Sequence, residues 1–274
     1  MPSRMARNMR SGKSYAIGVV SFFEAGNAVF APMLRAVTEA SRACGYTAVV
    51  CLGAEDLSYI DAYKKREVDG FIIIAPAAAR FNERAHIRAL HEAEAPFAIV
   101  NGSIYMQDVA SVLLDYGAVS KAAVEHFVSL GYSRIVYVDE FSEEAARELR
   151  ERREGYMDAM REAGLLPRTC DLARFDADDL SGAEAIVVSR APTARALMRL
   201  LLDDGVRIPQ AYELIAGSGE AEERGDSLPL TAYEFSYAQA GEYAVRAVLG
   251  MIPAVPFSPS PVYTAGKTAR DRAK

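Results

Sequence analysis

The arginines are the chemical groups of this sequence with the clearest potential role, and the usual catalytic signatures do not accompany them. His86 and His91 stand five residues apart and His126 is remote, which does not match the spacing of a zinc site. The stretch GSGEAEERG contains Gly-x-Gly at 217–219 but lacks the third glycine of a dinucleotide-binding loop. Neither a phosphate-binding GxxxxGK[ST] loop nor a GxSxG nucleophile turn occurs. A dispersed Ser-His-acid triad stays open, yet the sequence predicts a binding protein without catalysis, cofactor or metal.

Seven short apolar runs have the character of buried strands, because they are continuous rather than alternating. Amphipathic segments separate them; in 117–130, Val119, Ala123 and Phe127 repeat at four-residue steps beside Val124 and Val128. This alternation predicts parallel sheets with right-handed crossovers. The predicted strands are Ala16–Val20, Thr47–Leu52, Gly70–Ala75, Pro96–Val100, Arg134–Val138, Ala185–Ser189 and Glu213–Gly217.

A repeated junction suggests that one layout is used twice. A helical run ends at Gly45 or Gly131, Tyr follows, and a strand begins; the two glycines are 86 residues apart. The predicted fold class is therefore α/β, with two similar subdomains, each a parallel sheet flanked by helices, and a ligand cleft between them. We place the N-terminal subdomain at 15–115 and the C-terminal subdomain at 116–232. Residues 1–14 are expected to form a separate segment before the first subdomain. Residues 233–250 are expected to return to the N-terminal subdomain, and residues 251–274 are expected to form a crossover and tail.

Composition narrows the class of protein. The chain has 274 residues, of which 51% are hydrophobic and 25% charged, an ordinary globular balance. The formal net charge of −6 gives no overall attraction to nucleic acid. Cys44, Cys51 and Cys170 are expected to be free thiols. No apolar stretch approaches the ~20 residues of a membrane span, and no secretory signal is evident, so we predict a cytoplasmic location.

Ligands of open α/β sheets bind beyond the carboxyl ends of the strands, so the loops after the strands supply the candidate contacts. Asn101 and Asp115 lie at strand ends, and Asp115 could instead be a hinge or helix-cap residue. Aromatic side chains could stack on a ring, although core packing is the alternative for each. These aromatic candidates are Phe22, Phe23 and Tyr237.

The ordered set of segments resembles the LacI/GalR family of bacterial transcription regulators. PSRMARNMRSGKSYAIGVV is similar to the family's hinge helix and first core strand, and VDGFIIIAP to its third strand. LLDYGAVSKAAVEHFVSLGYSRIVYV resembles the crossover into the second subdomain. RERREGYMDAMREAGL looks like the helix with Arg-x-x-Gly-aromatic, and LPLTAYEF like a closing strand. The resemblance covers nearly the whole chain and implies a periplasmic binding protein type I-like core.

This resemblance implies that the opening stretch is a DNA hinge. In the family, paired hinge helices of a homodimer enter the minor groove of operator DNA, where an apolar side chain wedges between bases. Met9 occupies the wedge position, where Leu is usual. The family's helix-turn-helix would precede the hinge, so we expect either a truncated regulator, which we favour, or a natural core without its reader. A frayed basic terminus is the alternative. The hinge residues are Arg4, Arg7, Asn8, Met9 and Arg10.

The resemblance also places effector contacts. Phe30 stands where the family has an aromatic or apolar contact, and Arg152 where an Arg clamps the effector; core packing and a solvated helix arginine are the alternatives. Sugar-responsive members carry polar Asn-Asp pairs where this chain has Arg190-Ala191, and acidic residues where it has a small-residue loop ending in Glu220. We therefore hypothesise an effector, a sugar or sugar acid, whose anionic group meets Arg152 and Arg190.

Three functions remain to be compared. The first is the ligand-sensing core of a dimeric LacI-type regulator, in which the effector changes operator affinity. The second is a stand-alone solute-binding protein of the same architecture, for which an export signal would be expected. The third is a degenerate enzyme or a regulator of another protein. The sequence favours the first.

Overall fold

The structure is a computed structural model that describes residues 12–21, 29–52, 57–75, 82–104, 106, 108–140, 147–217 and 228–271. It divides the chain into two compact units, each assembled from two separate parts of the sequence. Unit 1 comprises Met1–Leu114 and Ser236–Pro259, and unit 2 comprises Asp115–Phe235 and Ser260–Lys274. The chain therefore passes from one unit to the other at three points.

Strands and helices alternate along the chain. The strands are β1 (Ala16–Ser21), β2 (Thr47–Leu52), β3 (Phe71–Ile74), β4 (Phe97–Val100), β5 (Ala110–Val112), β6 (Ile135–Asp139), β7 (Arg168–Asp171), β8 (Ala185–Val188), β9 (Glu213–Ala216), β10 (Thr231–Phe235), β11 (Pro256–Phe257) and β12 (Pro261–Thr264). The helices are α1 (Phe30–Ala43), α2 (Ile60–Lys64), α3 (Glu83–Glu92), α4 (Tyr116–Ser129), α5 (Arg147–Glu162), α6 (Ala191–Asp203) and α7 (Tyr237–Val248).

The sheet of unit 1 has the strand order β11-β5-β4-β3-β1-β2, and every pairing in it is parallel. All four residues of β3 are fully buried, as expected for a central strand covered on both faces. Helix α7 returns to this unit and packs against α1, where Gly241 meets the backbone of Ala36. A side chain at Gly241 would collide with that backbone, so glycine allows the two helices to approach closely.

The sheet of unit 2 has the order β12-β10-β9-β8-β6-β7, which is the same arrangement as in unit 1 when each strand is matched to its counterpart. Its pairings are parallel except for β12, which runs antiparallel to β10. The two similar subdomains predicted from the sequence are therefore confirmed. Gly45 and Gly131 have φ of 78° and 86°, the left-handed conformation expected after a helix.

The two faces of the unit 2 sheet carry different helices. Val138 shares an apolar cluster with Leu197 of α6, whereas the ring of Tyr137 stacks on Tyr156 of α5 with centroids 5.1 Å apart. Successive strand residues point to opposite faces. Tyr137 and Asp139 of β6 therefore share the face that α5 covers.

The seven predicted strands occur, with bounds shifted by a residue or two. Strands β7, β11 and β12 were not predicted, because they are short or, like the sequence RTCD of β7, carry no apolar run. The predicted tail is also more regular than an extended crossover, since Thr268 is fully buried and bonds to Thr231 and Leu214 of unit 2. The three cysteines are free. In the described ranges, no helix has the length and apolar character needed to cross a membrane.

Candidate functional site

Polar residues gather at the carboxyl edge of the unit 2 sheet, where β6, β8 and β9 end. Asp139 is the last residue of β6, Ser189 and Arg190 follow β8, and Gly217 follows β9. The Gly217 amide donates to the Val188 carbonyl at 2.7 Å, which holds the ends of β8 and β9 together. We call Asp139, Arg152, Arg190, Thr193 and Gly217 the unit 2 site.

Asp139 is a buried carboxylate, and one of its oxygens accepts two hydrogen bonds from neighbouring residues. Its Oδ1 accepts from the Ser189 hydroxyl at 2.7 Å and from the Glu140 amide at 2.8 Å. Burial raises the pKa of the Asp139 carboxyl, and the two donors together with the Arg190 charge only partly oppose that shift. Both of these hydrogen bonds end on Oδ1, and the Tyr137 side chain also interacts with the carboxyl.

Tyr137 precedes Asp139 on the same face of β6. Its ring is fully buried, and burial followed by the nearby Asp139 charge raises the pKa of its phenol, so the hydroxyl stays protonated. That hydroxyl has no hydrogen-bond partner among the described residues. A buried donor without a partner is costly, which makes a ligand or water at this position favourable.

Arg152, on α5, is only 2% exposed. One terminal guanidinium nitrogen donates to the Gly217 carbonyl, and the guanidinium carbon lies 4.9 Å from the centroid of the Tyr116 ring, a cation–π distance. Its Nε has no partner in the described part of the chain. One nitrogen of Arg152 thus holds the end of β9, and its role as an effector clamp stays a prediction.

The ring under Arg152 lies beside two of the points where the chain changes units. Tyr116 is the second residue after the passage at Leu114–Asp115, and Phe235 is the last residue before the passage at Phe235–Ser236. Their rings meet edge to face, 5.1 Å between centroids. Asp115 caps α4 by accepting from the Ala118 amide at 2.8 Å, which confirms the helix-cap alternative. Arg152 therefore contacts Tyr116 beside one passage, and Tyr116 contacts Phe235 beside another.

Arg190 lies at the N-terminus of α6. It is the N-cap residue, its side chain makes no capping bond, and the first turn contains no acidic residue. Thr193, in that turn, is 1% exposed, and its hydroxyl has no partner among the described residues. The Arg190 side chain is half-buried, and its Nε is also buried without a partner.

The predicted contacts of unit 1 are Phe30, Asn101 and Tyr237. Phe30 and Tyr237 are half-buried first residues of α1 and α7, two helices that pack together. Asn101 follows β4 with φ of 60°, and its side-chain amide donates to the Ala75 carbonyl at 3.3 Å, joining the ends of β3 and β4. These residues share the unit but not one demonstrated cluster, so their effector roles stay predictions.

Several predicted residues lie outside the described residues: Phe22, Phe23, Glu220 and the hinge residues Arg4, Arg7, Asn8, Met9 and Arg10. The cleft predicted between the subdomains also stays a prediction.

Sequence reasoning missed Asp139, Tyr137 and Thr193. The only signal for Asp139 was its place at the end of an apolar run, in a loop already considered as a whole. Nothing in the sequence pointed to Thr193, because the hydrogen bonding of its hydroxyl depends on which residues pack around α6 in the folded protein. In the described ranges, no group of three or more His, Cys, Asp and Glu is arranged to hold a metal ion.

Comparison with known proteins gives one family and several distant relatives. A family described as the periplasmic binding protein-like domain matches residues 124–272. Catabolite control protein A of Priestia megaterium is 22% identical over 231 residues, covering 78% of this chain and 68% of that protein. Both findings agree with the resemblance to LacI-type regulators.

Solved structures share the fold at low identity. A regulatory protein of the LacI family from Chloroflexus aggregans superposes with a TM-score of 0.72 at 21% identity, covering 94% of this chain and 99% of that one. The transcriptional regulator CelR in complex with cellobiose gives 0.68 at 17% identity, covering 94% and 85%.

Proposed function

We propose a function from one premise: the chain belongs to the periplasmic binding protein-like domain family. It is the effector-binding core of a LacI-type transcription regulator and binds a small metabolite, a sugar or sugar acid. Binding changes the affinity of the regulator for operator DNA. The protein acts in the cytoplasm as a homodimer, and no catalytic step is involved.

The single observation that carries this proposal is the concentration of unsatisfied polar atoms at the unit 2 site. Among the described residues, buried side-chain atoms without a hydrogen-bond partner include the Tyr137 hydroxyl, the Nε of Arg152 and Arg190, and the Thr193 hydroxyl. Buried polar groups are nearly always paired in folded proteins. Arg152, through its bond to Gly217, and Arg190 lie at the carboxyl ends of parallel strands, the usual place of a ligand site in such sheets.

A second observation favours a regulator over a simple binding protein. Arg152 contacts Tyr116, and Tyr116 contacts Phe235, so the site touches residues next to two passages between the units. An effector that engages the site would change the forces on those segments. Coupling between an effector site and a second site in allosteric proteins is typically ~1–3 kcal/mol. The two solved structures named above are a regulatory protein of the LacI family and the transcriptional regulator CelR, which supports the same choice over a stand-alone solute-binding protein.

A thermal-shift screen tests the binding part of the proposal. The purified protein is heated with a library of neutral sugars, sugar acids, sugar phosphates and purines. A true effector binds the folded form and raises Tm in proportion to its concentration above Kd. We expect at least one sugar-type compound to do so. A library without any stabilising compound would contradict the proposal.

A transcript measurement tests the regulatory part. Deleting the gene should change the transcript levels of a small set of genes, and the effector should change the same set in the intact strain and not in the deletion strain. Light scattering should give twice the chain mass of 29.8 kDa. An effector that binds without any transcript response would identify a solute-binding protein instead.

A further inference from the structure

We infer that the N-terminus of α6, with Arg190 and Thr193, is an anion site and that the effector is a hydroxylated organic monoanion, a sugar acid. This inference rests on the proposed function and names the chemical class of its effector. It also changes the earlier hypothesis, because Arg190 and not Arg152 is the residue that receives the anion.

Arg190 provides a charge without a counter-ion. Its guanidinium makes no hydrogen bond and no ion pair with any described residue, although the side chain is half-buried and its Nε fully so. Asp139 influences it from a distance, yet no ion pair within 4.0 Å joins the two in the described structure. A partly buried cation without a partner is unfavourable. A ligand carboxylate would relieve that cost by a bidentate charge-assisted bond.

The helix adds donors at the same place. The first turn of α6 reads Ala191-Pro192-Thr193 and contains neither an acidic residue nor a side-chain cap. Uncapped amide groups and the helix dipole attract an anion to a helix N-terminus. The Thr193 hydroxyl, buried and without a partner in the described chain, is an independent donor in that turn. Arg190, the turn and Thr193 together form a site of matching chemistry.

Asp139 limits the charge of the ligand and gives it a second anchor. Its two described hydrogen bonds both end on Oδ1, so the carboxylate keeps lone pairs to which a ligand hydroxyl can donate. A doubly charged phosphate ester beside Arg190 would be repelled by this carboxylate, whereas a carboxylate carries one charge. The combination favours a hydroxy acid over a neutral sugar or a sugar phosphate.

Arg152 has another task. One of its terminal nitrogens holds the Gly217 carbonyl and its guanidinium covers the Tyr116 ring, so the side chain is fixed by the protein itself. Arg152 is therefore a positioning residue that fixes the end of β9.

Calorimetry on the whole chain tests the inference with four probes: D-gluconate, D-glucuronate, D-glucose and D-glucose 6-phosphate. We compare wild type with Arg190→Ala, Thr193→Val and Arg199→Ala. Arg199 is an exposed arginine of the same helix and controls for the loss of one positive charge. We expect one of the acids to bind at least tenfold more tightly than D-glucose and D-glucose 6-phosphate. Arg190→Ala should weaken it about tenfold or more and Thr193→Val several-fold, while Arg199→Ala leaves it unchanged.

The Tm of the unliganded variants separates a ligand role from a structural one. Because the Arg190 guanidinium bonds to no described residue and the Asp139 charge attracts it only from a distance, Arg190→Ala should unfold close to the temperature of wild type. A clear fall in Tm would mean that Arg190 supports the fold, and it would overturn the inference.

The remaining outcomes are also decisive. If D-glucose or D-glucose 6-phosphate binds as tightly as the acids, or if Arg190→Ala binds the acid like wild type, the anion assignment is wrong while effector binding stands. If none of the four probes binds, the sugar-acid class is rejected, and the proposed function is then decided by the broader thermal-shift screen and the transcripts.

Discussion

Arg190 and Asp139 illustrate what a single residue reveals before and after folding. The sequence marked Arg190 through the resemblance, because it stands where sugar-responsive LacI/GalR members carry a polar Asn-Asp pair. It did not mark Asp139, because acidic residues after strands are common and most are solvated. Only the buried position of Asp139, with Ser189 and Glu140 bonded to the same oxygen, distinguishes it. Burial is a property of the fold and cannot be read from neighbours in the sequence.

At this scale we predict the effect of Asp139→Asn on the unliganded protein. Burial raises the pKa of the Asp139 carboxyl in the folded protein. The contribution of this group to stability is therefore fully present below its ordinary pKa of about 4. That contribution is lost as the pH rises through the folded-state pKa. The substitution removes that loss. We therefore expect a higher Tm than wild type at pH 7 and a shrinking difference as the pH is lowered toward about 4.

Thermal unfolding between pH 4 and 8 measures this, with Asp203→Asn as the control because Asp203 is an exposed residue of α6. The control should follow wild type throughout. A lower Tm for Asp139→Asn at pH 7 would show that the carboxylate stabilises the fold.

At the scale of the secondary-structure elements, glycine residues determine how closely two helices of unit 2 approach each other. Helices α4 and α5 of unit 2 pack together, and a Cβ at Gly155 would lie 2.3 Å from the carbonyl oxygen and 2.5 Å from Cα of Gly117. The sequence predicted α4 from its apolar periodicity and α5 from its resemblance to the Arg-x-x-Gly-aromatic helix. It could not predict that they cross at this pair of glycines, because periodicity describes one helix and not its partner.

We predict that Gly155→Ala destabilises unit 2. Alanine favours a helix over glycine by about 1 kcal/mol, but overpacking against the backbone of Gly117 costs about 1–3 kcal/mol, because a backbone cannot move aside like a flexible side chain. The net result should be a lower urea midpoint. Glu154→Ala is the matched control, since Glu154 is exposed on the same helix and surface changes usually stay within about 0.5 kcal/mol. An unchanged or higher midpoint for Gly155→Ala would show that the helices separate without cost.

The whole molecule is built from two units, neither of which is continuous in sequence. Unit 1 takes α7 and β11 from the later part of the chain: Ala244 and Val245 of α7 are fully buried, and Phe257 of β11 pairs with Val112 of β5. The sequence predicted the return of a helix to the first subdomain. The placement of β11 and β12 in different sheets followed only from the fold.

We predict that residues 1–114 do not fold alone, because the faces that receive α7 and β11 would be exposed. The fragment should give weak helical circular dichroism and no cooperative thermal transition. Joining 1–114 to 236–259 through a flexible Gly/Ser linker should restore both, since it supplies the elements that cover α1 and β5. Cooperative unfolding of 1–114 at the same temperature as the joined fragment would contradict this.

The sequence alone determined the alternation of strands and helices, the duplication of one layout and the glycines that end helices. Each of these depends on residues close together in the chain, where periodicity, β-branching and turn chemistry act directly. The tertiary structure alone decided that Asp139 is buried, that Arg152 is held by Gly217 and Tyr116, and that Thr193 has no partner. These facts depend on residues far apart in sequence, because burial and hydrogen-bond satisfaction arise only when separate elements pack.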